Sequence, residues 1–169
     1  MKKSVLVLIP LLALLAQKEY KPRHEVIPGP PVVQPIAYSH KTHLAMGMKC
    51  TNCHTMAGDG FLAGYPKEAT CMGCHSSIKK DSAEIQKLAA FAAKKEPVPW
   101  KRVYQVPDYV WFNHASHVQD AKIDCGKCHG EVATREVLFQ EKSISMKACM
   151  DCHAEQKAPN GCDFCHASQ

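Results

Sequence analysis

The chain has 169 residues, a length that suits one domain or two very small ones. It carries ten cysteines and ten histidines, far more than a chain of this length usually contains, and its formal charge is +5. Function therefore has to be sought first in the pattern of these cysteines and histidines.

The N-terminal segment has the features of a secretory signal. Lys2 and Lys3 form a positive region, and residues 5–16 form an apolar run. That run is shorter than the roughly 20 residues that cross a bilayer, so we predict a signal peptide over residues 1–16 and an exported protein. The alternative is an uncleaved anchor helix. No cysteine directly follows the run, which argues against a lipid anchor there.

The remaining chain divides into four predicted segments. Residues 17–37 contain five prolines and are predicted to form an extended leader. Residues 38–96 form a first module with two cysteine motifs, and residues 112–169 form a second module with three. Residues 97–111 are an aromatic linker between the modules, and the two modules are related in sequence.

Residues 81–95 have the strongest helical pattern of the chain. Asp81 and Glu84 have the spacing of a capping box, and Pro97 ends the helix. Four residues mark its apolar face: Ile85, Leu88, Ala89 and Ala92.

The cysteines occur in five pairs, each with two intervening residues, and a histidine follows every second cysteine. The motifs, numbered 1 to 5 in chain order, are Cys50/Cys53/His54, Cys71/Cys74/His75, Cys125/Cys128/His129, Cys149/Cys152/His153 and Cys162/Cys165/His166. C-x-x-C-H is the attachment signature of a c-type haem. Zinc ribbons and disulfide frameworks also use cysteine pairs, but neither requires a histidine after every pair. The sequence therefore predicts five covalently bound haem c groups.

The spacing has a chemical reason. Two thioether bonds hold the porphyrin, and the adjacent histidine becomes the proximal ligand of the iron. Attachment takes place outside the cytoplasm, in agreement with the predicted signal. Loss of Lys2 and Lys3 leaves a charge of +3, and five ferric haems with their propionates bring it to roughly −2. The basic sequence is therefore no indication of nucleic-acid binding.

Two H-x-x-H pairs, each opened by an aromatic residue, precede motifs 1 and 3. The first is His40 with His43, and the second is His114 with His117. Residues three apart on a helical turn lie on one face, whereas two axial ligands approach an iron from opposite sides. The two histidines of a pair must therefore serve two different haems, as distal ligands, and hold those haems close together.

The distal ligand of the fifth haem is less determined. Five histidines lie outside the motifs, and His24 in the leader is the one that completes the count. The alternative is that His24 is solvated. The fifth iron then has a methionine as its distal ligand, or its distal position is open. The methionines considered are Met46, Met48, Met56 and Met146. A methionine ligand would raise the reduction potential of that haem.

A chain that folds around five haems needs little conventional core, because the porphyrins supply apolar surface. We therefore expect short helices and irregular loops with little sheet. The phrase F-x-H-x-x-H followed by C-x-x-C-H resembles the class III cytochromes c, the cytochrome c3 and c7 group. Residues 71–117, CMGCHSSIKKDSAEIQKLAAFAAKKEPVPWKRVYQVPDYVWFNHASH, and residues 143–153, SISMKACMDCH, resemble the multihaem cytochrome subunit of alternative complex III. A related subunit occurs in menaquinone reductase complexes of sulfate reducers.

The resemblance covers residues 38–166 and implies particular ligand pairs. By analogy with cytochromes c3 and c7, His40 ligates the haem of motif 1 and His114 that of motif 3. The second histidine of each pair reaches a later haem, which assigns His43 to motif 2 and His117 to motif 4.

The same resemblance implies an electron carrier, not an enzyme in its own right. Its partners would be an iron–sulfur or molybdopterin-like subunit and membrane subunits that oxidise quinol, at the periplasmic face of the cytoplasmic membrane. One alternative is a free periplasmic shuttle of the cytochrome c7 type. Another is a multihaem reductase, which would need one open iron. Lys101 and Arg102 in the linker are the predicted contacts with the iron–sulfur partner.

Overall fold

The computed structural model describes residues 29–166. The predicted signal peptide, most of the leader and His24 lie outside this range. Seven α-helices are found within it: α1 (His40–Ala45), α2 (Cys50–Cys53), α3 (Glu68–His75), α4 (Ala83–Lys94), α5 (Cys125–His129), α6 (Met146–Glu155) and α7 (Cys162–Cys165). A π-helical segment spans Ser116–Asp120 and a 3-10 turn spans Val132–Thr134.

Short helices joined by loops make up the described part of the chain. It contains no strand, and β pairing there is limited to two single bridges, Met56 with Ala63 and Val110 with His166. This confirms the expected fold class of a multihaem cytochrome c. Within residues 29–166, none of the helices has the length and apolarity that a membrane span requires.

Every C-x-x-C pair lies on one helical turn, in α2, α3, α5, α6 or α7. Residues three apart on a helix share a face, so both thiols of a pair point to the same side. The helices thus present two sulfur atoms together, with the following histidine at the helix end.

Helix α4 differs at its N-terminus from the sequence prediction. It begins at Ala83 with Ser82 as its N-cap residue, so the predicted capping box of Asp81 and Glu84 is wrong. The Glu84 carboxylate instead accepts a hydrogen bond from the Ala37 amide at 2.7 Å and contacts Lys87 Nζ at 2.6 Å. A contact with the end of the leader has replaced the local cap.

The side-chain core is small and lies in the first module. Its buried residues are Ile36, Leu88 and Val98, which are 4–5% exposed. Trp100 packs against this cluster, as do residues of α3 and α4. This linker tryptophan therefore contributes to packing, while the neighbouring Lys101 is exposed.

Two connections join the leader and the first module to the second module. The amide of Gly29 donates to Gln140 O at 3.2 Å, and that of Val32 donates to Leu138 O at 2.9 Å. Helix α1 packs against the turn Val132–Thr134. The Lys41 amide donates to Arg135 O, directly after that turn, at 3.1 Å. The division into two modules stays a prediction, but the residues assigned to one module are hydrogen-bonded to residues assigned to the other.

Because Leu88 is central to this small core, Leu88→Ala should lower the free energy of unfolding by about 2–4 kcal/mol. Gln86→Ala on the exposed side of the same helix is the control, expected within about 0.5 kcal/mol of the wild type. Denaturant titration of the haem-loaded protein measures both. Equal stability of the two variants would show that the cluster contributes little.

Candidate functional site

Four imidazole rings from the H-x-x-H pairs face four rings from the C-x-x-C-H motifs. The ring centroids are 6.4 Å apart for His40–His54, 6.2 Å for His43–His75, 6.4 Å for His114–His129 and 5.9 Å for His117–His153. These are the pairs that the family resemblance implied. Their role as ligands stays a prediction, but the structure brings the rings together.

The separation of the rings fits a metal ion between them. A bond of about 2.0 Å from each imidazole nitrogen, with about 1.15 Å from nitrogen to ring centre, places two axial rings about 6.3 Å apart. The observed distances of 5.9–6.4 Å agree with this value. Rings in direct stacking contact would lie closer. The paired histidines therefore fit a group that carries one iron with two axial ligands.

Ring orientation repeats between the modules. The rings are nearly parallel at motifs 1 and 3, with interplanar angles of 4° and 9°. They are inclined at motifs 2 and 4, by 65° and 42°. The sequence repeat is thus matched by a repeat in the arrangement of the histidines.

Backbone carbonyls hold most of these rings through Nδ1. Seven of the described histidines have such a contact: His43 to Ser39 O, His54 to Gly64 O, His75 to Ile78 O, His114 to Phe61 O, His117 to Asn113 O, His153 to Pro159 O and His166 to Tyr109 O. A carbonyl only accepts, so Nδ1 carries the proton and donates. The lone pair of Nε2 is then free to bind a metal, as is usual for metal-binding histidines.

His40 is an exception to this pattern. Its Nδ1 is buried without a hydrogen-bond partner. Burial, with smaller contributions from His54 and His43, lowers the pKa of His40 to about 4. Burial also lowers the pKa of His129, where His114 and His54 contribute. Both rings are therefore neutral at neutral pH, the form that can bind a metal.

One aromatic ring contacts both histidines of each pair. Tyr38 stacks on His43 at 4.4 Å and meets His40 edge-on at 4.8 Å. Phe112 lies 4.6 Å from His117 and meets His114 edge-on at 4.8 Å. The aromatic residue that opens each repeated phrase thus fixes the angle between the two imidazoles.

The arrangement of the cysteines matches covalent haem attachment better than a disulfide framework or a zinc site. None of the ten, all of which lie within residues 29–166, forms a disulfide bond. Residues 29–166 contain no group of three or more His, Cys, Asp or Glu side chains arranged to hold a metal ion. Two thiols on one helical turn with a histidine directly after them are the arrangement that haem c attachment uses.

The two thiols of motif 2 differ in their surroundings. Cys71 is partly buried and packs against the core cluster, whereas Cys74 is exposed. The main chain of Cys74 is fixed, because its carbonyl accepts from the amides of Ser77 at 3.1 Å and Ile78 at 2.9 Å. The thioether bond from Cys74 to haem stays a prediction, and it needs an accessible thiol on the same helical turn as Cys71.

The fifth motif is arranged differently from the others. The Tyr109 ring lies 5.9 Å from the His166 ring at an angle of 27°, and Tyr109 O contacts its Nδ1 at 3.3 Å. None of the described histidines faces His166. His24 lies outside the described residues, so its assignment to this motif stays a prediction.

The sequence alone does not show whether Tyr104 packs within the protein or contacts a partner, and the structure shows that it packs. Its hydroxyl accepts from the amides of Glu141 at 2.8 Å and Lys142 at 3.2 Å and donates to His129 O at 3.3 Å. Its ring meets the His129 ring edge-on at 4.7 Å. Tyr104 therefore supports motif 3 from the linker.

Sequence comparison agrees with this geometry. Residues 110–167 match the family described as cytochrome c7 and related cytochrome c. The chain is also 31% identical over 160 residues to a menaquinone reductase, multiheme cytochrome c subunit, of Nitratidesulfovibrio vulgaris (strain Hildenborough). That alignment covers 79% of this chain and 76% of the relative. The chain therefore belongs to the multihaem c-type cytochromes, which bind haem covalently and transfer electrons.

His43→Ala should remove the imidazole that faces His75 and leave the motif 2 iron with an open position. We expect a high-spin absorption signal and carbon monoxide binding, both absent from the wild type. Met46→Ala is the control, because Met46 is a rival ligand in the same stretch and is 66% exposed. A low-spin His43→Ala protein, or a high-spin signal in Met46→Ala, would contradict the assignment.

Proposed function

We propose that this protein carries electrons through five haem c groups as a subunit of a quinol-oxidising respiratory complex. The observation that carries the proposal is the set of four facing imidazole pairs, each beside a C-x-x-C-H motif. Haem c supplies an iron that gains and loses one electron. The cysteine pairs and the histidines that follow them would hold it, and at motifs 1 to 4 the facing imidazole would be the second ligand of the iron.

The number of five rests on the motifs. Each of the five has its cysteines on one helical turn and its histidine at the end of that turn. Motif 5 shares this arrangement in α7, and its His166 is oriented by a backbone carbonyl like most of the others. Motif 5 differs from motifs 1 to 4 in having no facing imidazole within residues 29–166, so the fifth haem rests on its two cysteines and His166.

Closed axial positions favour a carrier over a reductase. A substrate bound at iron needs a vacant position, and four pairs of imidazoles occupy both sides of their sites. We assign His24 to the fifth haem. It is the one histidine outside the motifs that belongs to neither H-x-x-H pair.

The proposed partners follow from the relative and from the sequence resemblance. The relative's name places it in a menaquinone reductase. By extension, this chain would pass electrons between membrane subunits that handle quinol and an iron–sulfur or molybdopterin-like subunit, as in alternative complex III. It would act at the periplasmic face of the cytoplasmic membrane, after export by residues 1–16. The family match over residues 110–167 favours a free periplasmic shuttle as the second candidate.

Haem content is tested by mass spectrometry and pyridine haemochrome assay of the protein purified from native membranes. We expect five covalent haems per chain and removal of the N-terminal segment. Mild detergent should also leave quinol-oxidising and iron–sulfur subunits bound. Three or fewer haems would contradict the motif assignment, and a lone soluble protein would favour the free shuttle.

The linker offers a test of the partner surface. Lys101 and Arg102 are exposed, whereas the main chain of Lys101 is fixed by two hydrogen bonds to the Gln34 side chain, 2.8 and 2.9 Å long. Reversal of both charges should therefore leave the fold and haem content intact and reduce co-purification of the iron–sulfur partner several-fold.

The matched control is Lys94→Glu with Lys95→Glu, which makes the same charge change at another exposed site, the end of α4. If both double variants lose the partner equally, overall charge and not the linker controls association. If Lys101→Glu with Arg102→Glu retains the partner fully, the interface lies elsewhere.

A further inference from the structure

We infer that the five motifs form one unbranched row in the order 2–1–3–4–5, so that electrons cross between the modules from motif 1 to motif 3. Motifs 2 and 5 are then the two ends at which electrons are exchanged with partners. This inference rests on the proposed electron-carrier function and adds the route. The order differs from that of the sequence, and four structural connections establish it.

Tyr38 joins motifs 2 and 1. Its ring contacts His43, which faces motif 2, and His40, which faces motif 1, with centroids 4.4 and 4.8 Å away. One tyrosine therefore contacts the distal histidines of both motifs.

Phe112 joins motifs 3 and 4 in the same way. Its ring lies 4.8 Å from His114, which faces motif 3, and 4.6 Å from His117, which faces motif 4. The second module thus repeats the connection found in the first.

The loop of residues 59–64 joins motifs 1 and 3 across the modules. Gly64 O accepts from the His54 ring at 2.8 Å, and Phe61 O accepts from the His114 ring at 2.8 Å. Gly60 O accepts from the Ala115 amide at 3.1 Å. One loop therefore orients the proximal histidine of motif 1 and the distal histidine of motif 3.

Motif 5 attaches to motif 4. Pro159 O contacts the His153 ring at 2.6 Å, and the Asn160 side chain donates to Met150 O at 2.9 Å. The segment between α6 and α7 therefore folds back on α6, and motif 5 follows it directly at Cys162, next to motif 4.

Gly60 is the residue on which the central connection depends. Its φ is +73°, and a Cβ atom there would lie 2.4 Å from Ala115 Cβ. Any side chain must push the loop away from the residue that follows His114. Gly58 provides a matched control, because its φ is +64° but nothing lies within 4 Å of an added Cβ.

The order is tested first on the wild-type, fully haem-loaded protein by two-dimensional NMR of the reduced state. Cross-peaks between substituents of different haems should connect 2 with 1, 1 with 3, 3 with 4 and 4 with 5. A cross-peak set that connects motif 2 to motif 3, or separates motif 1 from motif 3, would overturn the row. The haem count is measured on the same sample, so a wrong order is distinguished from a wrong function.

Electron transfer between motif 1 and motif 3 is tested with Gly60→Ala. Equilibration of electrons between the modules after a reducing laser flash should become several-fold slower, with haem content unchanged, while Gly58→Ala stays close to the wild type. Adding Ala115→Gly to Gly60→Ala removes the clashing methyl group and should restore the rate. Equal rates in Gly60→Ala and Gly58→Ala, or no recovery in the double variant, would overturn the crossing.

Discussion

The structure depends on one constraint: two imidazole rings must face each other with their centroids about 6 Å apart. The H-x-x-H pair meets it with two histidines on the same side of one helical turn, where they cannot serve one iron. His40 and His43 therefore turn to different motifs, as do His114 and His117. Each short helix carrying such a pair brings two haem sites together.

The contacts around the histidines follow from this constraint. Tyr38 and Phe112 separate the rings of each pair, and backbone carbonyls hold seven of the nine described histidines by Nδ1. The carbonyls often come from distant segments, such as Phe61 O for His114. Much of the irregular chain is thus explained by the need to place a carbonyl behind a ring, not by side-chain packing.

The small core has an energetic consequence. Three hydrophobic residues are buried in the described chain, all of them near α3 and α4. The second module has no comparable cluster among its described residues, so the groups held by its thiols and imidazoles must contribute much of its stability. Cofactor attachment and folding are then coupled, as in other small proteins organised around metals.

His40 illustrates how similar sites acquire different properties. His114, its counterpart, donates Nδ1–H to Phe61 O at 2.8 Å, whereas Nδ1 of His40 is buried without a partner. A hydrogen bond at the second nitrogen makes an imidazole a stronger electron donor to its metal. The two modules repeat the histidine pairs but differ in what supports them.

Local sequence patterns predicted most of the site and less of its surroundings. The motifs, the H-x-x-H pairs and α4 are visible in spacings of a few residues. The cap of α4 was predicted wrongly because Glu84 binds the Ala37 amide, 47 residues away. The loop at 59–64 was missed because its contact with His114 spans 53 residues. Its two glycines, of which Gly60 has a positive φ, were the one local signal that could have indicated a close approach.

The paired histidines are tested most directly by electron paramagnetic resonance of the fully oxidised protein at low temperature. Nearly parallel imidazole planes at motifs 1 and 3 should give rhombic low-spin signals. The inclined planes at motifs 2 and 4 should give strongly anisotropic low-spin signals of comparable integrated intensity. High-spin iron at these four sites, or four signals of a single type, would contradict the account.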